Sequence, residues 1–439
     1  MRFWSQLPSR PLVSPHPPLP LFVPDSKTAN PYLILFALWL MMFSASSQLI
    51  IMVPMLPEIA ETLGVSPFWR GMLLTAYALS LGVSALITGP ASDRIGRRRI
   101  LIYGTTLMAV TLALHTVAAN YTLLLMMRLL AGVGGGMLSG GSVAYVGDYF
   151  PYDKRGWANG WVMSGVAFGQ VAGVPIGKVL ATGFGYRWPF LMFALTMGGA
   201  AVLIWQFVPE PDANLDDKQL TLRRFRKKYR TLLQGRYVSA AVGSYFLMFC
   251  GFGLFTSFLP SWLESTVGVS SYGIALLFAI GGSANVLASP LAGRLSDQVG
   301  RKPLVVGSSL ALGLCSAVAP VLIVDFTSAA TLFFIAMITV GIRISPLQSL
   351  LTALVPDQDR GLLMGLSMSV GQAGFGIGSF VASSTFGAYG YTSNALAGAA
   401  ATVIMAFLVH YGLPEPSLSS SDDSSPTAPP ESPSVAEAP

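Results

Sequence analysis

The sequence predicts an all-α membrane protein: twelve transmembrane helices in two pseudo-symmetric six-helix bundles. Three observations lead there. The first is composition. Of 439 residues, 53% are hydrophobic and 10% are charged, with a mean hydropathy of +0.61, whereas a water-soluble domain carries about 25% charged residues. The second is a series of apolar runs, each near the roughly 20 residues that a helix needs to cross a bilayer. The third is an internal repeat. Asp93 and Asp297 lie 204 positions apart, while the pair Arg155-Gly156 and Arg360-Gly361, and the pair Gly185-Tyr186 and Gly390-Tyr391, each lie 205 apart.

The apolar runs fall at 33–56, 68–89, 99–118, 122–147, 157–182, 187–208, 237–262, 270–291, 303–323, 328–352, 362–386 and 391–413. Twelve such segments leave no polar face to meet water, so the bundle must sit in lipid. The chain divides accordingly. Residues 1–30 form a proline-rich tail, whose prolines would break any secretory signal helix. Residues 31–208 form the first bundle and 237–413 the second. Residues 209–236 form the long internal linker, and 414–439 a disordered, acidic Ser/Pro-rich tail. The linker carries "RRFRKKYR", which reads either as a solvated topology signal or as a short amphipathic helix on an anionic membrane face. Cys250 and Cys315 fall inside apolar runs and are expected as free, buried thiols.

The net charge of +6 does not indicate a nucleic-acid partner, because the basic residues are spread over short loops rather than gathered on one domain face. They are concentrated in alternate loops: Arg94, Arg97, Arg98 and Arg99; Lys154 and Arg155; Arg294, Arg301 and Lys302; Arg360; and the linker. The opposite loops hold Glu58, Glu61, Glu264 and Asp325 against Arg70 and Arg187. The positive-inside bias puts both termini and the linker in the cytoplasm, in a plasma membrane or a bacterial inner membrane. Tryptophans at both sets of helix ends read as interfacial belts. Because six is even, the second copy of the repeat keeps the orientation of the first. Parallel halves of this kind enclose a central cavity.

The stretch "GPASDRIGRRR", carrying Gly89, Asp93, Arg94, Gly96 and Arg97, resembles the hallmark G-x-x-x-D-R-x-G-R-R of the major facilitator superfamily. Its echo "GRLSDQVGRK" carries Gly293, Asp297, Gly300 and Arg301. "RLLAGVGGG" resembles that family's fourth-helix R-x-x-x-G-x-G, placing Arg128, Gly132 and Gly134. The resemblance covers about 31–413 and implies a transporter with alternating access, a midplane site for a small molecule, no cofactor and a monomeric working unit. It also links Arg128 to proton coupling, the other reading of that arginine being a simple bridge between helices, and makes helices four and ten cavity walls.

The charged phrase is expected to act as a conformational latch. Asp93, at the end of the second helix, can pair with a loop arginine or a neighbouring helix N-terminus; by resemblance the target is helix eleven near Gly361. Gln298 stands where Arg94 should repeat, so the second copy is expected to be weaker. Asp148 and Arg155 either join the first latch or merely cap helix ends. Arg98 and Arg99 are expected to set topology alone. Arg343 either binds an anionic substrate group or snorkels, and Lys178 is expected to snorkel. Gln48, Tyr77, Gln170, Asn285, Gln348 and Gln372 are polar groups within spans, open to substrate or to interhelical hydrogen bonding. His115 is expected to be structural. No Asp or Glu lies in the middle of a span, so proton uptake would have to run through an edge acid, His115 or an acidic substrate. In "GVAFGQVAGVPIGKVL", Gly165, Gly169 and Gly173 recur every four residues as a packing face, while Pro175 and Gly177 soften the helix. This resembles the superfamily's exporter signature, except that Val174 separates glycine from proline. The expectation is a secondary transporter, with proton-coupled export of a partly apolar compound ahead of metabolite import or uniport. A sensor or scaffold on the same fold is the third reading. No metal cluster, nucleophile elbow or phosphate loop suggests an enzyme.

Overall fold

The computed structural model describes residues 30–211 and 229–414; within them the side chains of Pro67, Pro90, Tyr152, Asp297, Asp357 and Gln358 fall outside the description. Both expected tails, and most of the basic stretch in the linker, lie outside the described residues. Among those described, every regular element is helical.

In the first half, α1 (Pro31–Ile50) starts with proline in its first turn, and the Asn30 side chain accepts from the Tyr32 amide. A second piece, Met52–Leu63, prolongs it. Then come α2 (Pro67–Ile95), α3 (Arg97–His115) and α4 (Tyr121–Tyr149). Helix α5 is Arg155–Phe168, a π turn at Gly169–Gly173, and Val174–Phe184; α6 is Arg187–Phe207. In the second half, α7 (Arg236–Thr256) is prolonged by Leu259–Trp262 and a π turn at Leu263–Val267. It is followed by α8 (Ser271–Val299), α9 (Arg301–Leu322) and α10 (Phe326–Thr352), the last opened by an Asp325–Ser328 capping box. The helical run Asp357–Gly412 is broken at Gly390 (φ 67°) into α11 (357–389) and α12 (391–412).

Ten described helices are long and apolar enough to cross a membrane. That number takes Asp359–Gly412 as one helix and omits α3, whose first turn is Arg97, Arg98 and Arg99. Divided at Gly390, the long run supplies the last two expected crossings, and α3 alone is a helix at an expected crossing that is not among the ten.

The repeat is written into the backbone. The described positive-φ glycines fall into three pairs at the repeat offset: Gly64 and Gly268 (φ 63° and 77°), Gly96 and Gly300 (105° and 100°), and Gly185 and Gly390 (95° and 67°). Ser92 donates to the Gly89 carbonyl, and Ser296 to that of Gly293, each at 2.7 Å.

The halves meet along two seams, α2 against α11 and α5 against α8. Small residues let backbones touch there. Thr75 donates to the Gly376 carbonyl at 2.8 Å, and a Cβ on Gly82 would sit 2.8 Å from the Ser369 carbonyl oxygen. A Cβ on Gly282 of α8 would lie 2.8 Å from the Gln170 carbonyl oxygen on α5. The close approach does not continue to the arginine-rich face. Leu86 still packs against the second half's inner cluster, but Gly89 has open space beside it, as do Gly361 and Gly365 on α11 and Gly156 and Gly160 on α5.

The expected glycine face of α5 seats α1. A Cβ on Gly165 would lie 2.5 Å from the Trp39 carbonyl, one on Gly169 would lie 2.9 Å from that of Phe43, Gly173 abuts Ser47, and Gly177 meets Ile51. Pro175 offers no N–H to the turn before it, and the π turn occurs at that place. Trp69, Trp157, Trp161, Trp188 and Trp205 are exposed at helix ends, as the belts predict, while Trp262 stacks on Tyr391 with ring centroids 4.6 Å apart.

Candidate functional site

Three residues singled out from the sequence converge in the first half: Gln48 on α1, Tyr77 on α2 and Arg128 on α4. All are buried. Arg128 Nη1 donates to Gln48 Oε1 at 3.0 Å, Gln48 Nε2 donates to the Tyr77 hydroxyl at 2.7 Å, and the guanidinium stacks over the Tyr77 ring at 4.4 Å. The glycines after Arg128 make room for this. A Cβ on Gly132 would run into Ser80 and the Tyr77 carbonyl, and one on Gly135 would lie 2.6 Å from the Tyr77 hydroxyl. Arg128 makes no ion pair among the described residues, and its Nη2 is buried without a hydrogen-bond partner. An ionised group in that position is expensive unless something compensates for it. His115 lies on α3, its Nδ1 on the Thr111 carbonyl at 2.5 Å and its ring against Phe190, as a structural role requires.

A second polar pair crosses between the halves. Asn285 on α8 donates to Gln170 Oε1 on α5 at 3.0 Å, beside the Gly282 contact. Arg343 is buried on α10, within 3.5 Å of the Met248 carbonyl through Nη2, with Nε and Nη1 unpartnered. It therefore does not snorkel. Gln348 lies half-buried on the same helix, and Gln372 is buried at the α2–α11 seam near Gly82.

At the arginine-rich face, Arg97 gathers the charged phrase. It pairs with Asp93 at 2.5 Å and with Asp148 at 2.7 Å, and also contacts Ser92. All four belong to the first half, and the described residues bring no α11 group to Asp93; its partner is the loop arginine. Arg94 is exposed. Arg98 does more than set topology: it donates to the Trp205 carbonyl at 2.6 Å, and its amide donates to Glu210, which lies over Gly96. Arg155 donates to the Phe150 carbonyl at 3.1 Å and Arg360 to that of Thr352 at 3.0 Å, each at the end of the preceding helix. In the second copy, Gly300 has the left-handed turn, Gly293 accepts from Ser296, and Arg301 opens α9. The Asp297 side chain lies outside those described.

One cluster was not anticipated. Lys178 is fully buried rather than snorkelling, between Glu58 at 2.6 Å and Glu264 at 3.2 Å. Glu58 and Glu264 each precede a repeat-related glycine, Gly64 and Gly268, and that repeat was the signal in the sequence that could have placed them together.

The model of the Major Facilitator Superfamily matches residues 36–246 and 241–435. A multidrug resistance protein MdtG of Yersinia enterocolitica is 24% identical over 365 residues, covering 81% of this chain and 87% of that protein. An uncharacterised MFS-type transporter YceJ of Bacillus subtilis is 27% identical over 350 residues, covering 79% and 88%. The ectoine/proline transporter ProP of Corynebacterium glutamicum is 28% identical, covering 72% and 70%. The crystal structure of the human organic anion transporter MFSD10 superposes with a TM-score of 0.67 at 17% identity, covering 86% of this chain and 99% of that one. Two six-helix halves related by a repeat, the arginine-gathered loop between α2 and α3, and a family match across both halves lead to one conclusion: this chain belongs to the major facilitator superfamily and is a secondary transporter.

Proposed function

We propose that this transporter exports a partly apolar compound in exchange for protons. Its halves rock about the α2–α11 and α5–α8 seams, with the arginine-rich face, both termini and the linker in the cytoplasm. The observation that carries this reading is the uneven seam. Backbones touch from the Gly71 level to Gly82, whereas Gly89 and Gly361 stand in open space. Such a contact can close on one face while it parts on the other, which is what alternating access needs. Arg128, with Gln48 and Tyr77, is the proposed substrate or coupling centre, and Gln170 and Asn285 are its link across the halves. Arg343, with two unpartnered guanidinium nitrogens, is suited to an anionic group on the compound. Asp93, Arg97 and Asp148 hold the cytoplasmic end of the first half in one piece. Similarity to a protein named for multidrug resistance supports export.

The test is dye extrusion from pump-deficient cells expressing the chain, with and without a protonophore. Extrusion that collapses with the protonophore is expected. Membrane insertion without extrusion would favour the second reading, import of a small metabolite, which similarity to an ectoine/proline transporter supports.

A further inference from the structure

The unanticipated cluster lies at the face opposite the arginines. Lys178, from α5, is wholly buried, with Nζ 2.6 Å from Glu58 Oε1 and 3.2 Å from Glu264 Oε1. Glu58, on the prolongation of α1, belongs to the first half with Lys178. Glu264, in the π turn of α7, belongs to the second. The Ser271 hydroxyl, at the start of α8, donates to the same Glu264 oxygen at 3.0 Å. The other Glu58 oxygen, Oε2, is buried with no hydrogen-bond partner. One ammonium therefore faces two carboxylates, leaving one negative charge in excess where Lys178 and Glu58 Oε2 are buried and the glutamate side chains are only 23% and 20% exposed. The ionisable groups facing Glu58 are Lys178 and Glu264. Glu61, on the same element, is exposed, and Arg70 turns to the Val65 carbonyl.

We propose that Glu58, Lys178 and Glu264 form an outer gate that takes up one proton as it closes. The proposal rests on alternating access with this face outside. When the halves part here, the Lys178–Glu264 bond must break, because its partners sit in opposite halves. Glu58 stays beside Lys178, now wet, and an ionised carboxylate is well solvated. On closing, Glu264 brings a second negative charge and water leaves Oε2. A proton from the external solution, placed on Oε2, cancels the excess charge and leaves Lys178 to pair with Glu264. The electrostatics agree in sign: burial pushes the Glu58 carboxyl above its usual range, Lys178 opposes this, and Glu264 reinforces it. A carboxyl that holds its proton more tightly in the closed form makes closure more favourable as pH falls. The gate thus makes closure respond to external pH: its proton comes from the external solution on closing and returns there on opening, so the gate itself carries none across the membrane.

The test uses the full-length protein in lipid nanodiscs with Cys250→Ala and Cys315→Ala. Spin labels are attached through Val117→Cys and Val324→Cys, exposed positions on this face, one in each half. Distances between them are measured by double electron–electron resonance from about pH 5 to about pH 8. In the otherwise unaltered protein the short-distance population is expected to grow as pH falls. Glu58→Gln is expected to stay mainly short, with its populations changing by less than about twofold across the range. Lys178→Met, which leaves two carboxylates facing each other with no cation, is expected to move toward long distances, most of all at high pH, while Glu264→Gln, which removes the excess charge, is expected to lose most of the pH dependence. A Glu58→Gln protein that titrates like its parent would overturn the proton site, a Glu264→Gln protein that titrates like its parent would overturn the excess charge as its cause, and a Lys178→Met protein that stays as closed as its parent would overturn the gate. If no variant shows a second distance at any pH, the alternating-access reading itself fails, and the gate with it.

Discussion

Replacing Arg128 with methionine separates a functional cation from a structural one. The guanidinium is fully buried, and taking such an ion out of water costs several kcal/mol even after relaxation. What it receives is limited. The 3.0 Å bond to Gln48 contributes roughly 1.5–3 kcal/mol, as hydrogen bonds to charged groups do. The Tyr77 ring at 4.4 Å adds about 2 kcal/mol when desolvated. The Leu73 carbonyl, 3.5 Å away, is at the limit of a hydrogen bond. Cost and return are thus of similar size. Methionine has a similar length, removes both, and leaves Gln48 Oε1 without its donor, a loss of about 1–3 kcal/mol. Arg128→Met should therefore destabilise the purified protein by about 1–3 kcal/mol, against roughly 3–5 kcal/mol when one partner of a buried ion pair is removed. Transport should fall by about tenfold or more, the size of a typical coupling loss. The assays are thermal unfolding in detergent and substrate flux in proteoliposomes. Undiminished flux, or a stability loss in the range of a broken ion pair, would refute the reasoning.

Other consequences can be checked in the same two assays. Tyr77→Phe removes the acceptor that holds the Gln48 amide at 2.7 Å, and should lower flux with a stability loss of about 1 kcal/mol. Gly96→Ala forces a side chain into a positive-φ backbone (φ 105°) and within 2.5 Å of Glu210; the conformation alone costs roughly 1–3 kcal/mol, while Gly140→Ala, mid-helix with open space beside it, should leave the melting temperature equal or slightly raised. Asp93→Asn weakens one of the two carboxylate partners of Arg97; it should insert normally and transport poorly, and intact flux would remove the latch from the mechanism.

The fold was legible because a bilayer allows few solutions. Apolar runs of spanning length must become helices, and a charged phrase repeated at a fixed offset must mark the same corner of two equivalent bundles. The Arg128 network was half legible. Arg128, Gln48 and Tyr77 were each conspicuous as polar groups in apolar runs, but nothing in the one-dimensional pattern says that α1, α2 and α4 turn them toward one point. The glycines after Arg128 carry that information, since they leave room for Tyr77. Lys178 was misread for a similar reason. A lysine near a helix end ordinarily reaches for water, and only the fold places two acids, each far away in sequence, around it.

Where the repeat holds and where it fails separates scaffold from candidate chemistry. The positive-φ glycines, the serine bonds at Gly89 and Gly293, and the helix-end contacts of Arg155 and Arg360 recur in both halves. Each serves turning or capping, which both bundles need equally. Arg128 has Phe333 at its repeat position, Arg343 has Leu138, and Lys178 has Ser383. These buried cations appear once each, in one half or the other. A symmetric scaffold gains nothing structural from an unmatched buried charge, and pays desolvation for it. Their asymmetry fits the roles proposed for them, Arg128 and Arg343 toward a cargo that the two halves contact differently and Lys178 between acids drawn from both halves.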